Sequence, residues 1–218
     1  MRINKFIASS LGVSRRQADA MIAAGRVAID GQPAELGRTV GDDNLVTLDG
    51  KPLAPAAKIY ILLNKPVGYV SSRRGQGAET VYSLLPDDFR TLKSAGRLDK
   101  NSSGVLLMSN DGDFAQQMTH PKYKKSKEYE ISLDKELKDV DKQVIEDGVD
   151  IGDGQSRLKF AGGEGKDWQV TLSEGRNRQI RRTFAALGYE VERLHRTRFG
   201  SYGLEGLESG EFKQVDKR

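Results

Sequence analysis

A proline-containing stretch of small residues divides the chain into two parts of unequal length. Residues 51–58 read KPLAPAAK. Proline cannot continue a helix or donate to a strand ladder, so this composition is typical of an extended linker. We therefore predict a small domain over residues 1–50, a linker over 51–58 and a larger domain over 59–218. A chain of 218 residues is long enough for both domains to fold.

Residues 1–50 carry the signals of two helices and a small sheet. Apolar residues recur at helical spacing near the amino terminus, and Ser14 followed by Gln17 is the signature of a capping box that begins a second helix. Asp-Gly pairs at residues 30–31 and 49–50 follow alternating apolar residues and predict hairpin turns. In this order the elements resemble the S4 RNA-binding domain, whose second helix and following hairpin face RNA.

Two arginines occupy the predicted first turn of the second helix. Arg15 and Arg16 oppose the helix dipole there, at a cost of roughly a few tenths of a kcal/mol. An RNA phosphate as their partner would explain their position, because a helix amino terminus itself attracts anions. We therefore expect both side chains to bind RNA.

Beyond the linker, strand patterns and helix patterns alternate. Strands are predicted in IYILLNKP, GVLLMSNDG, KEYEISL and WQVTLSEG, and helices in AETVYSLLP, GDFAQQMTH, DVDKQVIEDGV and NRQIRRTFAALG. This mixture predicts the α+β class.

Positive charge is concentrated in two segments, although the net charge of the chain is only +4. Residues 174–198 contain seven arginines against three glutamates, and residues 119–128 contain four lysines against one glutamate. Such an excess favours a phosphate-rich partner, because each neutralised phosphate releases condensed counterions. A solvated charged face is the alternative for either segment alone.

The chain contains no cysteine, which excludes disulfides, thiolate metal sites and cysteine nucleophiles. A reducing compartment fits this composition. The amino terminus has no apolar core of signal-peptide length, and no segment approaches the ~20 apolar residues that span a bilayer. We therefore expect a cytoplasmic protein with no membrane partner.

One carboxylate lies between a basic residue and a Ser/Gly-rich turn, in the stretch GRLDKNSSGVLLMSNDG at residues 96–112. On local sequence alone, Asp99 would be a turn residue that accepts hydrogen bonds from backbone amides. Three other stretches change that interpretation: LNKPVGYVSS, KEYEISL and EGRNRQIRRTFAALGYEVERLHRTRFG. In this order the stretches resemble the motifs of the bacterial ribosomal RNA pseudouridine synthases of the small-subunit-enzyme family, whose members carry an S4 domain before the catalytic domain.

The resemblance implies a fold and a reaction. The fold is a small S4 domain of two helices plus a small sheet, followed by a mixed, mainly antiparallel catalytic domain. The reaction is isomerisation of a specific uridine in ribosomal RNA, as naked RNA or in a pre-ribosomal particle, by an enzyme that we expect to be a monomer. The spelling GRNRQIRR favours 23S over 16S RNA. Moving the ribose bond of uracil from N1 to C5 involves no redox change, so neither a cofactor nor a metal is expected.

Residue by residue, the resemblance also implies catalytic roles. Asp99 matches the catalytic aspartate, Tyr129 the active-site tyrosine beside the target base, and Arg181 the basic residue that pairs with the aspartate. The chemistry agrees, because the step at the sugar needs an ionised carboxylate and a nearby arginine keeps a carboxylate charged. The carboxylate either attacks C1′ or removes a proton from C2′, and the sequence leaves both routes open.

Pocket and backbone contacts complete the expected site. Ile180 and Leu194 match apolar residues that line the pocket, and Arg97 matches an arginine that helps occupy the space left by the extruded base. Taking a base out of its stack costs roughly a few kcal/mol, which contacts to the RNA backbone must offset. The basic candidates for these contacts are Lys122, Lys124, Lys125, Arg176, Arg178 and Arg182.

Ordinary structural roles are the alternatives for these residues. Tyr129 on a strand is often a half-buried sheet residue, and Ile180 and Leu194 would usually belong to the core. His120 and His195 lack the neighbours that a metal site needs. At the level of function, a non-catalytic RNA-binding or ribosome-assembly protein is the alternative to the enzyme. Metal-dependent RNA cleavage would need clustered acids and histidines, which the sequence does not arrange.

Overall fold

The computed structural model describes residues 1–75 and 77–218, and the chain separates into two units, Met1–Ile59 and Tyr60–Arg218. The first unit has two helices and a four-stranded antiparallel sheet with the strand order β2-β1-β3-β4. Its elements are α1 (Ile3–Leu11), α2 (Arg15–Ala23), β1 (Val27–Ile29), β2 (Gln32–Pro33), β3 (Val46–Leu48) and β4 (Lys51–Pro52).

Local signals account for most of the first unit. The Ser14 hydroxyl accepts a hydrogen bond from the backbone N–H of Gln17, and the side-chain oxygen of Gln17 accepts one from the backbone N–H of Ser14. The predicted capping box is therefore present. Both residues of each Asp-Gly turn, 30–31 and 49–50, have positive φ, as a two-residue hairpin with a type I′ turn requires. Apolar residues of α1 and α2 pack on the sheet and form a separate core.

The structure moves the predicted domain boundary. Lys51–Pro52 pairs with β3 and is therefore the last strand of the first unit and not the start of a linker. Residues 53–59 have no regular secondary structure. The sequence reasoning assigned Pro52 to the linker because proline weakens strands, but an edge strand tolerates it.

The second unit is built on a nine-stranded sheet. Seven of its strands follow the order β11-β12-β8-β13-β7-β5-β15, while β6 pairs with β7 and β14 with β13; β9 and β10 form a separate pair. Its helices and strands are β5 (Tyr60–Lys65), β6 (Lys93–Ala95), β7 (Ser103–Ser109), α3 (Gly112–Thr119), β8 (Lys127–Leu133), α4 (Asp139–Asp147), β9 (Val149–Asp150), β10 (Gln155–Ser156), β11 (Lys159–Glu164), β12 (Asp167–Leu172), α5 (Gln179–Ala185), β13 (Val191–Phe199), β14 (Tyr202–Gly203) and β15 (Phe212–Gln214).

The sheet confirms the α+β class and its mainly antiparallel character. Its centre is apolar on both faces, because the runs Ile61–Leu63 and Val105–Met108 are fully buried. The short helix predicted in AETVYSLLP, closed by Pro86, is a 3₁₀ helix, Val81–Leu84. It ends before Pro86 because a proline disfavours helical backbone at the preceding residue, and Leu85 is extended. No helix within residues 1–75 and 77–218 combines the length and apolarity needed to cross a membrane.

The pairing of β7 with β13 is parallel, whereas the other strand pairs of the described residues are antiparallel. Arg196 on β13 lies opposite Gly104 on β7. Gly104 has a φ of +104°, and a Cβ atom at this position would lie 2.1 Å from the carbonyl oxygen of Arg196. Only glycine therefore allows the two backbones to approach this closely.

We expect Gly104→Ala to lower the free energy of unfolding by at least about 3 kcal/mol, because the new methyl group would force β7 and β13 apart at a strained φ. Urea denaturation measures this loss. Gly112→Ala is the matched control, since Gly112 begins α3 and a Cβ atom there meets nothing within 4 Å. It should leave stability unchanged or raise it by up to about 1 kcal/mol. Equal stability of the two variants would contradict the close approach of the strands.

Candidate active site

A cavity of about 250 Å³ opens in the second unit. This volume lies below the roughly 300–1,000 Å³ of pockets that bury a whole drug-sized ligand, so the cavity suits a smaller group such as a single base. Its walls come from the turn between β6 and β7, from β8 and β13, and from the turn that leads into α5. Among the described residues that line it, Asp99 is the one carboxylate, and the lining cations are Arg97, Lys127, Arg176, Arg178 and Arg196.

Strand periodicity and two tight turns position the walls. The odd-numbered residues of β8 are buried on one face, which brings Lys127 and Tyr129 to the cavity together. Arg196 on β13 is the cross-strand partner of Tyr129. Asp99 sits in a turn closed by a hydrogen bond of 3.1 Å from the Ser102 amide to the Asp99 carbonyl. Arg178, with a left-handed φ of 46°, directs the chain into α5.

The structure brings five of the six predicted catalytic and pocket residues to this cavity: Arg97, Asp99, Tyr129, Ile180 and Leu194. Tyr129, Ile180 and Leu194 are also buried, so their ordinary core role and the predicted pocket role coincide. The sixth residue, Arg181, is not one of the lining residues of the described chain.

The ion pair of Asp99 differs from the prediction. Nη1 of Arg178 lies 4.0 Å from Oδ2 of Asp99, whereas Arg181 forms no ion pair in the described part of the chain. Arg181 instead donates to the carbonyls of Asn101, at 2.7 Å, and Val191. The assignment of Arg181 as the direct partner of Asp99 is therefore wrong in this structure, because the two carbonyls take up its guanidinium.

Arg181 still acts on the carboxylate at a distance. Its bond to Asn101 holds the turn that contains Asp99. Burial, and then the neighbouring charge of Arg178, lower the pKa of Arg181 below its usual value, and the charge of Asp99 partly offsets this decrease. Arginine remains protonated under such conditions. Arg181 is thus a brace of the Asp99 turn as well as a source of positive potential.

Two buried lysines near the cavity were missed by the sequence analysis. Lys65 is 0% exposed and its ammonium donates to the carbonyls of Pro66 and Ser102, at 2.9 and 2.6 Å. Lys127 lines the cavity, is buried, and donates to the carbonyl of Glu174 at 3.1 Å. Burial is the main cause that lowers the pKa of each lysine to about 8. The charge of Asp99 works against this decrease at Lys65.

A buried arginine, Arg196, was also missed. Its Nε donates to the Val105 carbonyl at 2.8 Å, and its Nη1 lies 3.5 Å from the hydroxyl oxygen of Tyr129. The guanidinium carbon lies 4.8 Å from the centre of the Phe199 ring. The two-residue period of a strand would have revealed both missed cations of the cavity wall. Lys127 lies two residues from Tyr129, and Arg196 lies two residues from Leu194, so each pair shares one face of its strand.

The predicted RNA-binding residues fall into two groups. Arg15, Arg16, Lys122, Lys124 and Arg178 are exposed, and Lys125 is partly exposed. Their side chains are in positions that RNA can reach.

Arg176 and Arg182 form the second group, because both bind Asp153. Arg176 forms ion pairs with Asp153 and Glu174, at 3.1 and 2.9 Å, and Arg182 binds the second oxygen of Asp153 at 2.9 Å. Both arginines also donate to backbone carbonyls between residues 151 and 177. They connect the turn before α5 to the loop around Asp153, and their predicted contacts with RNA stay a prediction.

Comparisons with known proteins agree with this architecture. A family model described as RNA pseudouridylate synthase matches residues 59–186, and the S4 domain model matches residues 1–46. The chain therefore belongs to the RNA pseudouridylate synthase family, with an S4 domain ahead of the catalytic domain. It is an enzyme of the isomerase class.

Relatives of known name span nearly the whole chain. A ribosomal small subunit pseudouridine synthase A of Yersinia pestis is 36% identical, over 99% of this chain and 94% of that protein. A ribosomal large subunit pseudouridine synthase B of Bacillus subtilis is 33% identical, over 98% of this chain and 91% of that protein. A crystal structure of a pseudouridylate synthase, 29% identical, superposes with a TM-score of 0.71 over 99% of this chain and 96% of that one.

The buried lysines predict a pH dependence of stability. Lys65 has a pKa of about 8 in the folded protein and 10.5 as its ordinary value, so the unfolded chain binds more protons between these pH values. Stability contributed by this group therefore rises with pH across the window from 8 to 10.5. Relative to Lys65→Met, the free energy of unfolding of the wild type should rise by roughly 3 kcal/mol across it. Lys100→Met is the exposed-lysine control. If urea denaturation gives the same stability difference between the wild type and Lys65→Met at pH 8 and at pH 10.5, the effect is disproved.

Proposed function

We propose that this pseudouridine synthase isomerises one specific uridine of ribosomal RNA and that Asp99 is its catalytic residue. The observation that carries the proposal is the position of Asp99 at a cavity of about 250 Å³ walled by Tyr129, Ile180 and Leu194. The names of the relatives support ribosomal RNA as the substrate class. The proposed location is the cytoplasm, and the proposed partner is ribosomal RNA or a pre-ribosomal particle bound by a monomer.

The proposed chemistry takes place at the sugar. The bond between uracil N1 and ribose C1′ breaks, the base turns within the cavity, and C5 forms the new bond to C1′. An ionised Asp99 serves both routes, attack on C1′ and removal of the C2′ proton. Arg178 lies 4.0 Å from the carboxylate, and Arg181 holds the Asp99 turn through the carbonyl of Asn101.

The base needs walls that retain it while it turns. Tyr129, Ile180 and Leu194 offer a ring and two apolar side chains, which favour retention of the detached uracil over its escape into water. Arg97 is exposed at the cavity edge, where it can enter the space that the extruded base leaves in the RNA. Lys122, Lys124, Lys125 and Arg178 supply backbone contacts, and Arg15 and Arg16 add contacts from the S4 domain.

Large-subunit 23S RNA is the proposed substrate over 16S RNA, on the spelling GRNRQIRR. Relatives named for either subunit are similar to this chain to nearly the same degree, 36% and 33%. The experiment must therefore read both RNAs.

Pseudouridine mapping in both ribosomal RNAs, in cells with and without the gene, tests the function. One site should vanish from 23S RNA in the deletion strain and return with the wild type, but not with Asp99→Asn, because the amide carries no charge and neither attacks nor accepts a proton. Asp88→Asn is the control, since Asp88 is an exposed carboxylate outside the cavity.

Each part of the proposal fails separately in this experiment. A missing 16S site would overturn the choice of subunit, and unchanged maps would overturn ribosomal RNA as the substrate. Full restoration by Asp99→Asn would remove Asp99 from the mechanism.

The S4 contacts predict a salt dependence. Replacing Arg15 and Arg16 together by glutamine should reduce the slope of log affinity against log salt by about 1 to 2, because two phosphate contacts are lost. Fluorescence anisotropy, with the RNA that contains the target uridine and between low and physiological salt, gives the slope. The control, Arg26→Gln with Asp49→Asn, removes an ion pair of the same unit without changing net charge. An equal slope in both double variants would mean that Arg15 and Arg16 do not bind phosphates.

A further inference from the structure

Arg196 carries a hydrogen-bonding group with no partner in the described part of the chain. The residue is 2% exposed and lines the cavity. Its Nε and Nη1 groups contact the Val105 carbonyl and the Tyr129 hydroxyl, whereas its buried Nη2 group has no acceptor among the described residues. A buried N–H without an acceptor is costly, so a position like this one points to a group that the apo protein does not supply.

A second polar atom without a partner lies on the same cavity. Ser102 is 1% exposed, lines the cavity, and its Oγ has no hydrogen-bond partner within residues 1–75 and 77–218. Its carbonyl, in contrast, accepts from Lys65. Nε of Arg176, another lining residue, is also buried without a partner among the described residues. Buried polar atoms that lack partners at one cavity indicate an occupant with polar atoms of its own.

The charges around Arg196 indicate the character of this occupant. The charge of Arg196 is one cause of the lowered pKa of both Lys65 and Lys127, so Arg196 repels each of the two lysines. In the described part of the chain none of them has a carboxylate within 4 Å. A group that carries or acquires negative charge in the cavity would relieve this repulsion.

We propose that Arg196 is a further catalytic residue, whose free N–H donates to an exocyclic oxygen of the target uracil and stabilises the negative charge of the detached base. This role rests on the function proposed above. When the N1–C1′ bond breaks, its electron pair leaves with uracil and the charge spreads over N1 and the exocyclic oxygens. Electrons of the same ring then form the C5–C1′ bond, C5 loses its proton and N1 gains one, so the product is an isomer.

A donor placed where charge develops acts mainly on the rate and little on RNA affinity. Arg196→Met should therefore lower the single-turnover rate by about 100-fold to 1,000-fold, while the dissociation constant for the RNA changes less than about threefold. Arg193→Met is the matched control, because Arg193 lies on the same strand with 55% of its side chain exposed. It should keep the rate within about twofold of the wild type.

Thermal unfolding separates catalysis from a bracing role. Because replacing a buried, incompletely paired charge by an apolar side chain is often neutral or stabilising, Arg196→Met should melt no lower than the wild type. Arg196→Lys, which keeps the charge but reaches less far, should show an intermediate rate and serves if the methionine variant does not fold. A lowered melting temperature with a matching loss of RNA binding would identify Arg196 as a structural brace and overturn the proposal.

A substrate with a more stable base anion gives the sharpest test. In RNA with 5-fluorouridine at the target, fluorine withdraws electrons, so loss of the original nucleoside, read by digestion and chromatography, should be impaired less by Arg196→Met than with uridine. Equal impairment with both nucleosides would overturn the charge-stabilising role. Weakened binding with an unchanged rate would instead identify a contact to a backbone phosphate. A wild type that converts no uridine would contradict the proposed function and not the role of Arg196 alone.

Discussion

The close approach of β7 and β13 at Gly104 is the contact on which the site depends. In the described sheet β13, which carries Leu194 and Arg196, lies between β8, which carries Tyr129, and β7. The Asp99 turn leads directly into β7. The absence of a side chain at Gly104 lets the Arg196 backbone lie against it. Without this approach, the carboxylate and the base-holding walls would belong to separate halves of a sheet.

The same contact explains how a charged side chain survives at the sheet centre. Because Arg196 is held at its backbone by pairing with β7 and β8, its guanidinium is fixed under the cavity together with Lys65 and Lys127. Each of these cations is hydrogen-bonded to backbone carbonyls, which satisfy donors without neutralising charge. The protein thus accepts a desolvation cost in exchange for a fixed positive potential, an arrangement that acts on charge developing in a reaction without further reorganisation.

Much of the fold could be predicted from sequence, because it rests on local rules. The capping box at Ser14, the Asp-Gly hairpins and the apolar strand Val105–Met108 are each specified by neighbouring residues. The strand that was mispredicted, β4, is also local, because it pairs with β3 across the Asp49-Gly50 turn; Pro52 hid it in the sequence. At the site, the motifs identified which segments meet, but not which arginine reaches Asp99, since that depends on the carbonyls of Asn101 and Val191 that occupy Arg181.

The arginine-rich segment 174–198 shows why charge counts alone overestimate an RNA surface. Arg176 and Arg182 neutralise Asp153 and donate to carbonyls, Arg181 braces the Asp99 turn, and Arg196 is buried. A cation that is already paired with a carboxylate displaces few of the counterions condensed on RNA phosphates, so it adds little to salt-dependent affinity. They instead make the turn before α5 rigid, and a rigid turn is what keeps Arg178 beside Asp99 and Ile180 in the cavity wall. Most of the arginines in this segment therefore hold the site together, and the exposed ones among them are available for phosphates.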